Sequence, residues 1–302
     1  MSGGADGDAP IRCRALTKRW GAVTGVEGLD LDVPAGEVTG FLGPNGAGKS
    51  TTIEMIAGLA RPTSGEVLLW GRPAAEPAAR ARLGYMPADP AFYGPLSGEQ
   101  NLDLMAALQG SGAPDRAWAA ELLELDAADL RRPVREYSGG MVQKLGLVQA
   151  VQHRPELVVL DEPANRLDPL VHRRFERLVR EIADDGRTVF LSSHTLSEVQ
   201  HVCDSVAMVR TGRLLAHRPV AQLEGLESRR LRAVFAAGSG PPAPPPDGLT
   251  DARVEGAELT GRLAPGRIDV VRALAAREDL VDLTIEPATL EDAFVELYGD
   301  GA

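Results

Sequence analysis

The sequence predicts an α/β fold in which short buried strands form a sheet with helices packed against it, and three observations predict it. Apolar runs of strand length, such as EVTGFL (37–42), LVVL (157–160) and TVFLSS (188–193), recur along the first 220 residues. Between them lie stretches of helical periodicity, of which VHRRFERLVREIAD (171–184) is a clear case. A glycine-rich turn, GPNGAGKS (43–50), stands where a strand hands over to a helix.

In chain order, EVTGFL feeds that turn and KSTTIEMIAGLA (49–60) is the helix that leaves it. SGEVLLWG (64–71) and LGYM (83–86) read as short strands. From about 89 to 155 the pattern becomes helical through EQNLDLMAALQG (99–110), AWAAELLEL (117–125) and GGMVQKLGLVQAV (139–151), which reads as a helical insert. The alternation resumes with LVVL, the helix 171–184, TVFLSS, a short helix at SEVQHVC (197–203), and the strands VAMVR (206–210) and RLLAH (213–217). A first domain is therefore expected over 11–220, preceded by a disordered lead-in over 1–10.

A second, smaller α+β appendage is expected over 221–302. It is read from RLRAVFAA (230–237), the helical VVRALAARE (270–278), the strand-like LVDLTIEP (280–287) and a final helix at LEDAFVELY (290–298). GSGPPAPPPDG (238–248) reads as an extended linker or exposed loop.

Composition narrows the function classes. A net charge of −11 argues against a protein that grips nucleic-acid backbones. No apolar run approaches the ~18 residues that span a bilayer, so a membrane role would run through a partner. The opening MSGGADGDAP is polar and acidic, unlike a secretory signal or transit peptide. Cys13 and Cys203 are isolated and lack metal-ligand spacing, which fits reduced core thiols.

The turn itself carries chemistry. Gly43, Gly48, Lys49 and Ser50 satisfy G-x-x-x-x-G-K-[ST], and Pro44, Asn45, Gly46, Ala47 and Thr51 complete the stretch. Glycines let backbone amides turn inward around phosphate oxygens, the Lys49 ammonium reaches the terminal phosphates, and the Ser50 hydroxyl holds Mg²⁺. Lys appears only at 18, 49 and 144 in a chain whose other strong bases are all Arg. A compact ammonium fits between phosphates where an Arg fork does not.

A second constellation is LVVLDEP (157–163), an apolar strand ending in two carboxylates. Asp161 would bind Mg²⁺, directly or through water, and Glu162 would orient or deprotonate the attacking water. A third is TVFLSSHT (188–195), which delivers His194 to the strand end where α/β sheets place ligands and where it can hydrogen-bond a γ-phosphate.

YSGGM (137–141) lies between the phosphate turn and the carboxylate strand and opens a helix, offering the Ser138 hydroxyl and the Gly139 and Gly140 backbone to a second phosphate contact. Its order with GPNGAGKS, LVVLDEP, NRLDP (165–169) and SSH resembles the ABC-type ATPases over roughly 11–217. Within that class the chain is similar to the ATP-binding subunits of bacterial drug- and antibiotic-export transporters, which work with a separate permease. The resemblance implies a P-loop ATPase core, with ATP and Mg²⁺ as substrate and cofactor. It further implies ATP hydrolysis that powers export of a drug, antibiotic or lipid-like molecule, with a non-transport or regulatory ABC-type ATPase as the alternative. Also implied are an ATP-bound homodimer and a cytoplasmic location at the inner face of the membrane. Trp20 then matches the aromatic that stacks on adenine, and Asp168 fits the nucleotide-binding loop.

Three positions depart from the family pattern. Ala88 stands where Gln is common, with Asp89 beside it as a candidate metal ligand or a plain turn carboxylate. Arg166 replaces a small residue, and Met141 replaces Gln.

Overall fold

The computed structural model describes residues 9–110, 112–165, 167–223, 229–236, 238 and 240–287. Residues 1–8 of the expected lead-in, Arg166 and the helix expected over 290–298 lie outside the described residues. The chain divides into two compact units, Met1–Val220 and Ala221–Ala302.

The first unit begins with an antiparallel hairpin, β1 (Ile11–Trp20) and β2 (Val23–Val33), that sequence reasoning did not assign. Its register shifts three times between Cys13 and Arg19, which breaks the period-2 alternation that announces a strand. β3 (Val38–Leu42) then enters the glycine-rich turn, and α1 (Lys49–Ile56) leaves it. The helix is shorter than 49–60 because Gly58 takes a left-handed φ of 70° just beyond it.

β4 (Ser64–Leu69), the two-residue β5 (Arg72–Pro73) and the short α2 (Pro77–Arg80) follow, then β6 (Leu83–Met86). The insert comprises α3 (Gly98–Gln109), α4 (Arg116–Leu122), α5 (Ala127–Arg131) and α6 (Gly139–Val151). α3 starts with a capping box in which Ser97 and Gln100 satisfy each other's amides. β7 (Leu157–Leu160), α7 (Pro169–Asp184), β8 (Thr188–Ser193), α8 (Leu196–Val202), β9 (Ser205–Arg210) and β10 (Arg213–Pro219) complete the unit.

Two sheets result. One has the order β2-β1-β4-β5 and the other the order β10-β9-β3-β8-β7-β6. In the second, β3, β6, β7, β8 and β9 run parallel and only the edge strand β10 is antiparallel. β3, β7 and β8 are buried along their whole length, which explains why they read as continuous apolar runs. A single core gathers Leu16, Leu29 and Val33 from the hairpin, Ile53 and Ile56 from α1, and Phe41 and Phe190 from the parallel sheet. The two rings lie 5.4 Å apart between centroids. The parallel order brings the C-terminal ends of β3, β7 and β8 side by side, so the three motifs that follow them in sequence become neighbours in space.

The second unit is an antiparallel sheet, β12 (Leu249–Glu255), β13 (Glu258–Leu263), β11 (Arg229–Phe235) and β14 (Leu280–Pro287) in that spatial order. α9 (Ile268–Ala275) packs Val270 and Leu274 onto Leu231, Ala233 and Phe235. The proline-rich 238–248 stretch falls inside this unit, between β11 and β12, and the division of the chain lies earlier, at Val220. Among the described residues no helix is long and apolar enough to cross a membrane.

Candidate functional site

The turn between β3 and α1 is held from several sides. Gly43 N–H donates to Ser193 O (3.3 Å), Ala47 N–H to Pro44 O (3.1 Å) and Gly212 N–H to Ala47 O (3.0 Å). Two glycines are required sterically. A Cβ on Gly43 would stand 2.4 Å from Val209 O, and one on Gly48, at φ 98°, would stand 2.3 Å from Gly25 O. No L residue with a side chain fits either place without moving backbone.

The first intrahelical bond of α1 runs from Thr52 N–H to Gly48 O, so the amides of Lys49, Ser50 and Thr51 precede the hydrogen-bonded ladder. They form a positive cradle, with Asn45, Gly46 and the Ser50 residue exposed around it.

Lys49 is only 5% exposed. Its Nζ donates to Gly43 O at 2.8 Å and Pro44 O at 3.2 Å, and lies 3.3 Å from Glu162 Oε1. A buried ammonium held by two carbonyls of the turn and satisfied by a carboxylate is the observation that tests the fit of an anion here. The Glu162 carboxylate occupies the anionic position that a phosphate oxygen would take on the same ammonium, so the residues present fit a nucleotide polyphosphate.

Asp161 and Glu162 leave the end of β7. Asp161 is buried, its N–H donates to Met86 O, and its Oδ1 accepts from Ser192 Oγ at 2.6 Å. Glu162 Oε2 accepts from Asn165 Nδ2 at 2.6 Å and meets His194 Nδ1 at 3.2 Å. Burial alone would raise the Glu162 carboxyl, but the Asn165 hydrogen bond and the charges of Lys49 and His194 outweigh it and hold it below the ordinary value. The carboxylate stays ionised and is ready to accept a proton. Burial, followed by the charges of Asp161 and Glu54, pushes the nearby Tyr85 phenol up to about 12.

Among the described residues no group of three or more His, Cys, Asp or Glu stands ready to hold a metal by itself. The donor set that fits Mg²⁺ is the exposed Ser50 and the Asp161 carboxylate. That suits an ion taking one or two protein oxygens and completing its shell with water and phosphate.

Other expected residues fall elsewhere. Trp20, 55% exposed, ends β1 with the Lys18 ammonium 4.1 Å above its ring. Its hairpin borders the turn through Gly25, which approaches Gly48 and Thr51. Ser138 caps α6, accepting from Met141 N–H at 3.3 Å, and none of its hydrogen bonds among the described residues reaches the Gly43–Thr51 turn. Asp168 caps α7 by accepting from Leu170 and Val171 N–H, bonds that hold its carboxyl below the ordinary value. Asp89 is exposed in the loop after β6, next to Ala88.

Sequence reasoning missed two contacts at the site. Ser192 bridges Asp161 and Glu162, and Gln143, buried on α6, donates to Pro163 O at 3.2 Å. The paired hydroxyls that end the apolar run in TVFLSS and the amide at Gln143 in GGMVQKL were the available signals.

Comparison with known proteins follows this geometry. The ABC transporter family model matches residues 26–165. A daunorubicin resistance ATP-binding protein of Streptomyces coeruleorubidus is 35% identical over 307 residues, covering 97% of each chain. A bacitracin transport ATP-binding protein of Bacillus licheniformis is 36% identical over 219 residues, covering 71% of each. A solved dimeric ATP-binding cassette in a post-hydrolysis state, bound to ADP and Pi, aligns with a TM-score of 0.64. It covers 70% of this chain and 98% of that one at 21% identity, a likeness of fold.

Proposed function

Since the chain belongs to the ABC transporter ATP-binding proteins, a family that binds and hydrolyses ATP, we propose that it is the ATPase subunit powering export of a small molecule through a separate permease. The observation that carries the reading is the Glu162 carboxylate 3.3 Å from the buried ammonium of Lys49, the first residue of α1.

ATP would enter with its adenine on Trp20 and its phosphates on the amides of Gly46 to Thr51. Lys49 exchanges the Glu162 carboxylate for terminal phosphate oxygens. Ser50 and Asp161 hold Mg²⁺, which when bound neutralises charge on the phosphates. Glu162, released from Lys49 and steadied by Asn165, takes a proton from water as the water oxygen bonds to the γ-phosphorus. The bond from that phosphorus to the bridging oxygen breaks, and ADP and inorganic phosphate leave. His194, 39% exposed at its side chain beside Glu162, donates to the γ-phosphate and reports its presence.

Ser138 caps a second helix start in the same unit, which Gly139 and Gly140 open, and no hydrogen bond of Ser138 among the described residues reaches these groups. A second copy related by a two-fold axis places that turn over the nucleotide of the first. The family precedent of a dimeric cassette supports this arrangement. The drug and antibiotic names of the relatives support a small-molecule cargo. Attachment to the inner face of the membrane follows from a permease docked near 88–93 and the insert.

Reconstitution with a candidate permease that co-purifies with it from detergent-solubilised membranes, in ATP-loaded vesicles, tests the proposal. Hydrolysis stimulated by the permease and ATP-dependent movement of a cationic amphiphilic drug are expected. ATP binding without turnover would select a regulatory module, and turnover indifferent to the permease a non-transport ATPase.

A further inference from the structure

Glu162 has a φ of 44°, in the left-handed region that a residue with a long side chain seldom adopts. Such a backbone persists only where its surroundings over-determine it, and it recurs at functional sites. Two side chains from different elements supply that constraint. Ser192 Oγ, on β8, accepts from Glu162 N–H at 2.8 Å while donating to Asp161 Oδ1 at 2.6 Å. On the other side, Gln143 Nε2, on α6, donates to Pro163 O at 3.2 Å and stands 3.5 Å from Glu162 O. Both are essentially buried, Ser192 and Gln143 each being 1% exposed.

The geometry points to Ser192 and Gln143 as positioning residues that clamp the Glu162 backbone from its two sides and so aim the carboxylate at the phosphate site. The inference rests on the reading of Glu162 as the group that activates water. Ser192 does its part with one hydroxyl that serves both acids: it leaves Asp161 Oδ2 for the metal and fixes where Glu162 begins. Gln143 ties the same backbone to the helix that Ser138 caps, five residues upstream. Movement of α6 when its N-terminus meets a nucleotide would therefore reach Glu162 through one amide.

The test uses the full chain and three measurements: ATP affinity from tryptophan fluorescence, turnover at saturating Mg²⁺ and ATP, and the melting temperature. Ser192→Ala and Gln143→Leu are each expected to lower turnover about tenfold while ATP affinity changes less than about twofold, because misaiming a catalytic group affects the step and not the binding. Ser192→Thr is expected to recover most of the rate. In a Glu162→Gln background, with residual hydrolysis followed by labelled phosphate, neither change is expected to lower the rate further. Unchanged turnover in Ser192→Ala and Gln143→Leu, with Glu162→Gln inactive, would overturn the clamp and leave the assignment of Glu162 intact. A further equal loss in the Glu162→Gln background would also overturn it, as would a loss of affinity matching the loss of rate. Full activity of Glu162→Gln would remove the premise itself. If Ser192→Ala does not fold, Ser192→Thr and Gln143→Leu carry the comparison.

Discussion

Two helix starts in the first unit carry glycine-rich turns, and they differ in how much of a binding site each completes. At α1 the turn is buried at Lys49, braced against β9, β8 and the β1–β2 hairpin, and faced by a carboxylate that stands in for an anion. At α6 the turn has the Ser138 cap, an exposed Gly139 and a half-buried Gly140, and among the described residues no ion pair faces it. Both offer amides and a positive helix end. Among the described residues only the first shows an ammonium paired with a carboxylate, Lys49 with Glu162. On the proposed reading the first turn is a phosphate site and the second a half-site that another copy of the chain would complete.

Changes at the complete site should be the most severe. Glu162→Gln is expected to keep ATP binding while losing turnover by about 10²–10⁴, the usual contribution of a positioned general base. Lys49→Ala is expected to weaken binding as well, as phosphate release and nucleotide titration would show. Equal loss of affinity in both variants would erase the distinction between base and phosphate anchor.

At the half-site, Ser138→Arg should leave the ATP affinity of a single chain within a few-fold and reduce turnover by about tenfold or more. Light scattering sharpens the comparison. With ATP and Mg²⁺, Glu162→Gln should move from the 32.0 kDa of one chain toward twice that mass, and Ser138→Arg should abolish the shift. A monomer under saturating ATP would break the two-copy reading.

A smaller effect is expected at the rim. Trp20→Ala should weaken ATP binding by about 1–3 kcal/mol if the exposed ring stacks on the base, and Trp20→Phe should retain most of the affinity. Equilibrium titration distinguishes the two.

pH gives a milder test without nucleotide. Glu162 has a carboxyl depressed below its ordinary value, so it stabilises the fold above the carboxyl pKa of the unfolded chain. That contribution disappears as pH falls through the lower folded-state value. Wild type should therefore melt a few degrees above Glu162→Gln near pH 7, and the gap should close in acid. A gap that widens in acid would contradict the Lys49–Glu162 pairing. The least change is expected at the loop after β6: Asp89→Ala should reduce Mg²⁺-dependent hydrolysis about twofold, and Ala88→Gln should partly restore it. No response in either variant makes Asp89 a turn residue.

What was readable in the sequence follows the same division. VTGFL, LVVL and TVFLSS announced the central strands because strands buried on both faces must be apolar throughout. The phosphate turn announced itself because glycine and lysine there answer to local geometry. The β1–β2 hairpin was illegible because register shifts scramble its alternation. The roles of Ser192 and Gln143 were illegible for another reason: each meets Glu162 or its neighbour across tens of residues, and no local pattern encodes that meeting. The proline-rich stretch read as an extended linker or an exposed loop, because composition does not distinguish a connection between units from a loop within one; it lies within the second unit.

The bracing of the phosphate turn has a kinetic consequence. With Gly43 and Gly48 lying close to other backbone oxygens, the backbone of the turn has little alternative shape to visit, and receiving the ligand asks only that Lys49 exchange its side-chain partner. The ordering entropy has been met during folding. Association of ATP should then proceed at a rate set by diffusion and charge, nearly independent of solvent viscosity beyond the diffusional term, and affinity differences among nucleotides should appear as differences in residence time.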